Sequence, residues 1–110
     1  MKVTGLDLGV MEVVDSIPAS DKVKPKFTHT EFAVYTDEAK IKGIKGTVVI
    51  NAVFTADGKI KNIQILRGLP FGLTEEAVKA LNRFKFKPAM IDGVAVSVRM
   101  SMEFTFNLIR

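Results

Sequence analysis

The chain has 110 residues, of which 47% are hydrophobic and 25% charged, with a mean hydropathy of +0.21 and a net charge of +4. This length suits one domain, and the hydrophobic share excludes intrinsic disorder, which requires few apolar residues. A membrane-spanning helix is excluded as well, because the longest stretch without a charge has 11 residues, from Gly46 to Ala56, where about 20 apolar residues are needed.

The charge is unevenly distributed along the chain. Residues 1–21 carry a net charge of −3, and residues 22–110 carry +7. Basic surfaces bind nucleic acid, acidic membranes or acidic proteins in some proteins and are merely solvated in many others, so charge alone leaves the partner open. The absence of cysteine excludes disulfides, cysteine-ligated zinc and a thiol nucleophile.

The first 26 residues have the pattern of a leader. Apolar residues alternate with others over residues 6–10, which is a weak strand signal, and Pro18 and Pro25 bracket a polar stretch typical of a linker. We therefore expect residues 1–26 to be a leader with room for one extra strand, and residues 27–110 to be the folded domain. No apolar run of signal-peptide length follows the first methionine, so the sequence predicts a cytosolic protein or a piece of a longer one.

The middle of the chain predicts a short helix followed by a β-hairpin. Residues 36–43 have a threonine at the N-cap, acids in the first turn, bases in the last turn and a glycine at the end. Residues 47–55 are rich in β-branched side chains, and a return strand follows over residues 59–67. Between them lies Asp57-Gly58, the pair preferred in a two-residue type I′ turn.

The second half predicts an amphipathic helix and a long strand. Thr74 is the predicted N-cap of a helix whose apolar residues recur at helical spacing over residues 77–84, and Pro88 prevents its continuation. Over residues 94–108, apolar side chains occupy every second position, which predicts one strand of 15 residues. Neither hairpin strand is long enough to pair with all of it, so part of this strand should offer free backbone groups to a partner.

These elements predict an α+β fold with two layers. The crossover helix returns the chain so that the third strand lies antiparallel beside the first. The expected result is a three-stranded antiparallel sheet of order 2-1-3, with a helix packed on one face and a short N-terminal helix. In that order the long third strand lies at an edge of the sheet.

The residue patterns do not predict catalysis or a metal site. His29 is the only histidine and lies in a polar stretch without a second metal ligand at useful spacing. The paired carboxylates Asp37-Glu38 and Glu75-Glu76 are explained by the starts of the two helices. We therefore expect a protein that is not an enzyme, with no catalytic residues, no metal and no cofactor.

Two short motifs are shared with nucleic-acid-binding domains. Gly43-Ile44-Lys45-Gly46 is a GxxG, but it leads into a strand, whereas the KH domain holds this loop between two helices. Residues 83–87 interleave bases with aromatics, but Phe84 belongs to the buried stripe of the helix, which favours core packing. We expect no nucleic-acid partner, and a basic RNA-binding module stays as the lesser alternative.

An ordered set of motifs over residues 35–108 resembles the TonB C-terminal domain family. The motifs are Gly43-Ile44-Lys45-Gly46-Thr47-Val48-Val49, Asp57-Gly58-Lys59-Ile60, Gly72-Leu73, Phe84-Lys85-Phe86-Lys87-Pro88-Ala89, Asp92-Gly93-Val94 and Phe104-Thr105-Phe106. The chain departs from the family at Tyr35-Thr36, where Tyr-Pro is usual, and at Phe84, where Trp is frequent. Residues 30–33 replace a Gln-Pro run of the family.

The resemblance implies a two-layer periplasmic domain that binds the TonB box, a short segment of outer-membrane transporters, through its third strand. In this family the domain hangs from an inner-membrane helix, an anchor that is absent from this chain. Inner-membrane motor proteins use the proton gradient to pull through the contact, which opens transporters for siderophore or vitamin uptake.

Carried over to this sequence, the resemblance assigns the partner-binding edge to one run of residues. They are Val94, Ala95, Val96, Ser97, Val98, Arg99, Met100, Ser101, Met102, Glu103 and Phe104. The alternative use of the same edge is a homodimer, in which the domain acts as a scaffold module.

Overall fold

The computed structural model describes residues 15–108, which form two helices and eight strands. In chain order these elements are β1 (Ile17–Pro18), β2 (Lys26–His29), α1 (Asp37–Ile41), β3 (Gly46–Phe54), β4 (Ile60–Arg67), α2 (Leu73–Leu81), β5 (Lys85–Lys87), β6 (Ala89–Ile91), β7 (Val94–Val96) and β8 (Val98–Phe106). None of the helices in this part of the chain is long and apolar enough to cross a membrane.

The main sheet has four strands in the order β1-β8-β3-β4. Strand β3 pairs antiparallel with both β4 and β8, and β1 runs parallel to β8. The prediction of three strands, all antiparallel, is therefore wrong. The extra strand comes from Ile17 and Pro18, at the start of the predicted linker, which add to the outer side of β8. The strand signal at residues 6–10 lies outside the described residues.

The predicted strand of 15 residues is also wrong, because the chain is interrupted at Ser97. Strand β7 pairs with β6 in a separate two-stranded sheet, and only β8 joins the main sheet. The Ser97 hydroxyl accepts a hydrogen bond from the backbone N–H of Ala56 at 2.9 Å, which holds the interruption against the hairpin turn. Because β3 and β8 both have nine residues and pair along their whole length, only the other side of β8 is left open.

The turn between β3 and β4 has three residues, not the predicted two. The N–H of Gly58 donates to the carbonyl of Thr55 at 3.0 Å, and the N–H of Thr55 donates to the carbonyl of Lys59 at 2.8 Å. Gly58 has a φ of +86°, but the φ of Asp57 is not positive, whereas a type I′ turn needs positive φ at both central positions. The loop is a type I turn followed by a left-handed glycine.

Replacing Gly58 by alanine should lower the free energy of unfolding by about 1 kcal/mol, because an L side chain is strained at this φ. No atom lies within 4 Å of the position that a Cβ would take, so the loss is conformational and not steric. Urea denaturation measures it. Gly58→Asn is the matched control and should lose less, since asparagine tolerates the left-handed region. Equal losses for the two variants would contradict the conformational explanation.

The helices begin at different kinds of residue. Thr36 caps α1 as predicted: its Oγ1 accepts from the N–H of Ala39 at 3.2 Å and donates to the carbonyl of Phe71 at 2.7 Å. The predicted cap of α2 is wrong, because that helix starts after Gly72. Thr74 instead fastens the preceding loop, since its hydroxyl accepts from the N–H of Leu69 at 2.8 Å and donates to the carbonyl of the same residue at 2.9 Å.

One face of the main sheet forms the core. Even-numbered side chains of β3 and β8 are buried or half-buried on this face, where α2 contributes Leu73, Ala77 and Leu81. Strands β2 and β5 pair antiparallel in a separate two-stranded sheet, which we call the β2–β5 ribbon. At one end of the core this ribbon packs Phe27 and Phe86 against Phe54, with ring centroids 5.5 and 5.3 Å from that of Phe54. The odd-numbered side chains of β8 lie on the opposite face, which we call the outer face, and are exposed there.

Candidate functional site

Strand β1 shows which backbone groups of β8 point away from β3. The N–H of Ile17 donates to the carbonyl of Ser97 at 3.2 Å, and the N–H of Ala19 donates to the carbonyl of Arg99 at 3.0 Å. The N–H and C=O of a strand residue point to the same side, and successive residues alternate between the two sides. The odd-numbered residues of β8 therefore direct their backbone groups to the side of β1.

Beyond Ala19, this side of β8 is open. Its register with β1 ends at Arg99, and no other described strand pairs with it there. By the same alternation, the outward N–H and C=O groups that follow belong to Ser101, Glu103 and Thr105. The contact between Asn51 and Ser101 agrees with this alternation: Asn51 Nδ2 lies 3.2 Å from Ser101 Oγ across the β3–β8 pair. Opposite side chains come closest where the two residues do not exchange backbone hydrogen bonds with each other. We call these three residues the open edge.

A cavity of about 380 Å³ lies along the open edge. One wall consists of residues 103–106 of β8, the other of residues 30–33, and Phe84 also lines the space. Both walls are runs of four successive residues. We call it the edge slot.

The aromatic residues that line the edge slot differ in their exposure. The ring of Phe84 packs on that of Phe104 with centroids 5.9 Å apart, and both side chains are largely covered by the core. Phe32, in contrast, is 99% exposed although it lies on the wall of the slot. A ligand in the slot would therefore meet the covered rings of Phe84 and Phe104 and the exposed side chain of Phe32.

The two carboxylates at the slot differ in their partners. Glu31 Oε2 lies 2.9 Å from His29 Nε2, and Glu31 Oε1 lies 3.5 Å from a guanidinium nitrogen of Arg83. The hydrogen bond with His29, together with the nearby charge of Arg83, holds the pKa of Glu31 below its ordinary value. Glu103 makes no ion pair with any residue in the described part of the chain.

Replacing His29 by alanine should raise the pKa of Glu31 toward its ordinary value, because the largest cause of its lowering is removed. Because the pKa of Glu31 is lower in the folded state, its contacts stabilise the fold at pH values above the ordinary carboxyl pKa. This contribution is lost as the pH falls through the lowered pKa. Carboxyl NMR shifts of Glu31 followed through an acid titration measure the change. Lys79→Ala, a substitution on α2, is the control and should leave the pKa of Glu31 unchanged. An unchanged pKa of Glu31 in the His29 variant would contradict the conclusion that His29 lowers it.

The structure divides the residues predicted for the partner-binding edge. Val94, Ala95 and Val96 lie in β7 and Ser97 in the interruption, whereas Val98, Arg99, Met100, Ser101, Met102, Glu103 and Phe104 lie in β8. Of these residues, Ser101 and Glu103 direct backbone groups to the uncovered part of the edge, because those of Ser97 and Arg99 already bond β1.

Sequence reasoning missed part of the slot. Thr105 continues the open edge, and Phe106 and Phe84 line the cavity. The alternating pattern runs on through Phe106, so the same parity argument would have included Thr105. The contribution of Phe84 has no such signal, since it comes from the turn after α2.

The basic and aromatic run at residues 83–87 packs into the core on its aromatic side. Phe84 lies 5.7 Å from Phe27 between ring centroids, and Phe86 lies 6.2 Å from the same ring. These rings are not free to stack on nucleic-acid bases, as expected from the sequence. His29 is an exposed residue of β2, and within residues 15–108 no group of three or more metal-ligating side chains could hold a metal ion.

The family model described as "Gram-negative bacterial TonB protein C-terminal" matches residues 33–108. The chain belongs to the TonB C-terminal domain family. Over 76 residues it is 30% identical to Protein TonB of Pseudomonas aeruginosa, a match that covers 68% of this chain and 22% of that protein. The matched part of this chain therefore spans about a fifth of the length of that TonB protein.

A solved structure agrees with the family assignment. The solution NMR structure of the Pseudomonas aeruginosa TonB C-terminal domain matches with a TM-score of 0.64 and 27% sequence identity, over 83% of this chain and 91% of that chain. The α+β architecture of the TonB domain is thus shared. A TonB C-terminal domain is an interaction domain and not an enzyme, as the sequence predicted.

Proposed function

We propose that this chain is the transporter-binding domain of a TonB-type energy transducer, and that it binds the TonB box by strand addition to β8. The observation that carries this proposal is the open edge of Ser101, Glu103 and Thr105 beside the edge slot. Unpaired N–H and C=O groups in a row form a template for an extended peptide, whose main-chain hydrogen bonds give affinity while pockets for alternate side chains give specificity.

The remaining parts of the proposal concern the whole protein. Its family relationship supports a periplasmic location, an inner-membrane anchor outside this chain, and inner-membrane motor proteins that supply energy from the proton gradient. In this proposal the domain transmits a pulling force to the transporter through the added strand. Hydrogen bonds of a strand pair that are loaded along the strand direction act together, which suits such a role.

An NMR titration tests the binding site. Short peptides with the sequences of TonB boxes should shift the backbone amide signals of Ser101, Glu103 and Thr105, together with those of residues 30–33 on the opposite wall. The amides of Ile65 and Leu66 on β4 are the internal control, since they lie at the other edge of the sheet. Shifts confined to β4, or the absence of shifts, would overturn the proposal.

N-methylation of the peptide distinguishes strand addition from other contacts. Each methyl group removes one backbone donor, and only every second residue of an added strand directs its N–H toward β8. Methylation at successive peptide positions should therefore alternate between strong and weak loss of affinity, measured by calorimetry. A loss that follows side-chain identity without this period of two would contradict strand addition.

A second copy of the chain is the competing occupant of the same edge. Sedimentation at increasing concentration, without peptide, reports it directly. If the chain dimerises through β8, dilution should restore the amide signals of the open edge and peptide should compete with the dimer. If the chain stays monomeric at high concentration, the edge is left to the peptide.

A further inference from the structure

The outer face of the open edge carries a carboxylate whose partner is missing in the described chain. Glu103 is exposed on β8, and its direct neighbour on β3 is Val49. On the far side of Val49 the row continues to Arg67 of β4. Strand β3 separates Arg67 from Glu103, and neither of these two residues forms an ion pair within residues 15–108.

On the side of Glu103 away from β3, the neighbouring position in this row would be filled by a residue of a strand added at the open edge. Side chains directly opposite each other on neighbouring strands have their Cβ atoms about 4.5–5.5 Å apart, close enough for a charge to be felt. Ser101 and Thr105, the neighbours of Glu103 on the same face, are uncharged. Glu103 is thus the charged residue that an added strand meets along the open edge.

We infer that the strand bound at the open edge carries a lysine or arginine opposite Glu103, flanked on both sides by apolar residues. This inference rests on the proposed function and specifies the chemistry of the segment that it binds. The flanking residues follow from alternation, since they point to the face where Phe84 and Phe104 line the edge slot. The recognised pattern is therefore apolar, basic, apolar.

The expected effect is a moderate change in affinity with a definite sign. An opposite-charge cross-strand pair changes the dissociation constant by about 1.5- to fivefold relative to a neutral pair, and a like-charge pair acts in the reverse direction. Because both groups are exposed, the difference should shrink as salt is raised, the Debye length being about 10 Å at 0.1 M ionic strength.

The test uses the full chain and three peptides of alternating sequence, Val-Thr-Val-Xaa-Val-Thr-Val, in which Xaa is lysine, glutamine or glutamate. Affinities are measured by calorimetry at low and high salt, and NMR shifts show whether each peptide lies at residues 101–105. The variants are Glu103→Gln, Glu103→Lys and a control, Glu75→Lys, which makes the same change in net charge on α2.

The wild-type chain should bind the lysine peptide most tightly and the glutamate peptide least. Glu103→Gln should abolish this order, Glu103→Lys should reverse it, and Glu75→Lys should preserve it. Peptides that bind at the open edge with the same charge order in all four proteins would overturn the inference while leaving the proposed function in place. A complete failure of every peptide to bind there would overturn both.

Discussion

The substitution Phe54→Ala should lower the free energy of unfolding by about 3–5 kcal/mol, a large share of the 5–15 kcal/mol that holds an ordinary domain together. Phe54 is fully buried at the end of β3, and its ring meets Phe27 at 5.5 Å and Phe86 at 5.3 Å in edge-on contacts. Truncation leaves a cavity where the β2–β5 ribbon packs on the main sheet. Phe27 and Phe86 are held by separate strands of the ribbon, so they cannot both move in to fill the space.

Urea denaturation of the two variants Phe54→Ala and Phe32→Ala measures this effect. They remove the same atoms, but Phe32 is 99% exposed and should cost little or nothing. The comparison also separates stability from binding, since Phe32 lines the edge slot and its loss should weaken peptide binding without changing the unfolding midpoint. Similar losses of stability for both variants would show that the ribbon does not depend on the Phe54 contacts.

Side-chain periodicity predicts much of this fold because burial imposes it. The alternation along β8 has the parity that the structure shows, with even positions in the core and odd positions on the outer face. Periodicity does not record where a strand changes partner. Val94 and Val96 keep the apolar parity of β8 although they belong to another sheet, so the interruption at Ser97 is invisible in the pattern.

The two Asp-Gly pairs show the same limit for turns. Asp92-Gly93 has positive φ at both residues, +50° and +80°, and forms the two-residue turn between β6 and β7. Asp57-Gly58 is part of a three-residue loop instead. There Thr55 hydrogen-bonds through its side chain to Asp57, and its Oγ1 also accepts from the N–H of Lys59 at 2.9 Å. The dipeptide favours a turn, and at Asp57-Gly58 the hydrogen bonds of Thr55, two residues earlier, go with the three-residue form.

The candidate site was predictable only on one side. The strand that supplies the open edge follows from its alternation and from the family resemblance. The opposite wall, residues 30–33, lies about 70 positions earlier in the chain, and no periodicity or motif in the sequence places it beside β8. Strand β1 had no signal either, because its two residues, Ile17 and Pro18, are too few for a period to be visible.

The position of β1 leads to the second large effect, an increase in peptide affinity. The N–H of Ala19 occupies the carbonyl of Arg99, and Arg99 also donates from its guanidinium to the carbonyl of Ser16. A peptide that extends along β8 from the open edge to Arg99 must therefore displace residues 16–19. A peptide that covers only residues 101–105 meets no such competition.

The substitution Ala19→Pro removes the competing donor without touching β8. One backbone hydrogen bond contributes about 0.5–1.5 kcal/mol net, so a long peptide should bind up to about tenfold more tightly, whereas a short peptide should bind as before. Calorimetry with both peptides measures this, and Ala19→Ser, which keeps the N–H, is the matched control. Equal gains for both lengths would mean that the proline acts elsewhere in the domain, and no gain for the long peptide would mean that β1 does not lie in its path. A selective gain would instead show that the same backbone groups hold β1 and the added strand.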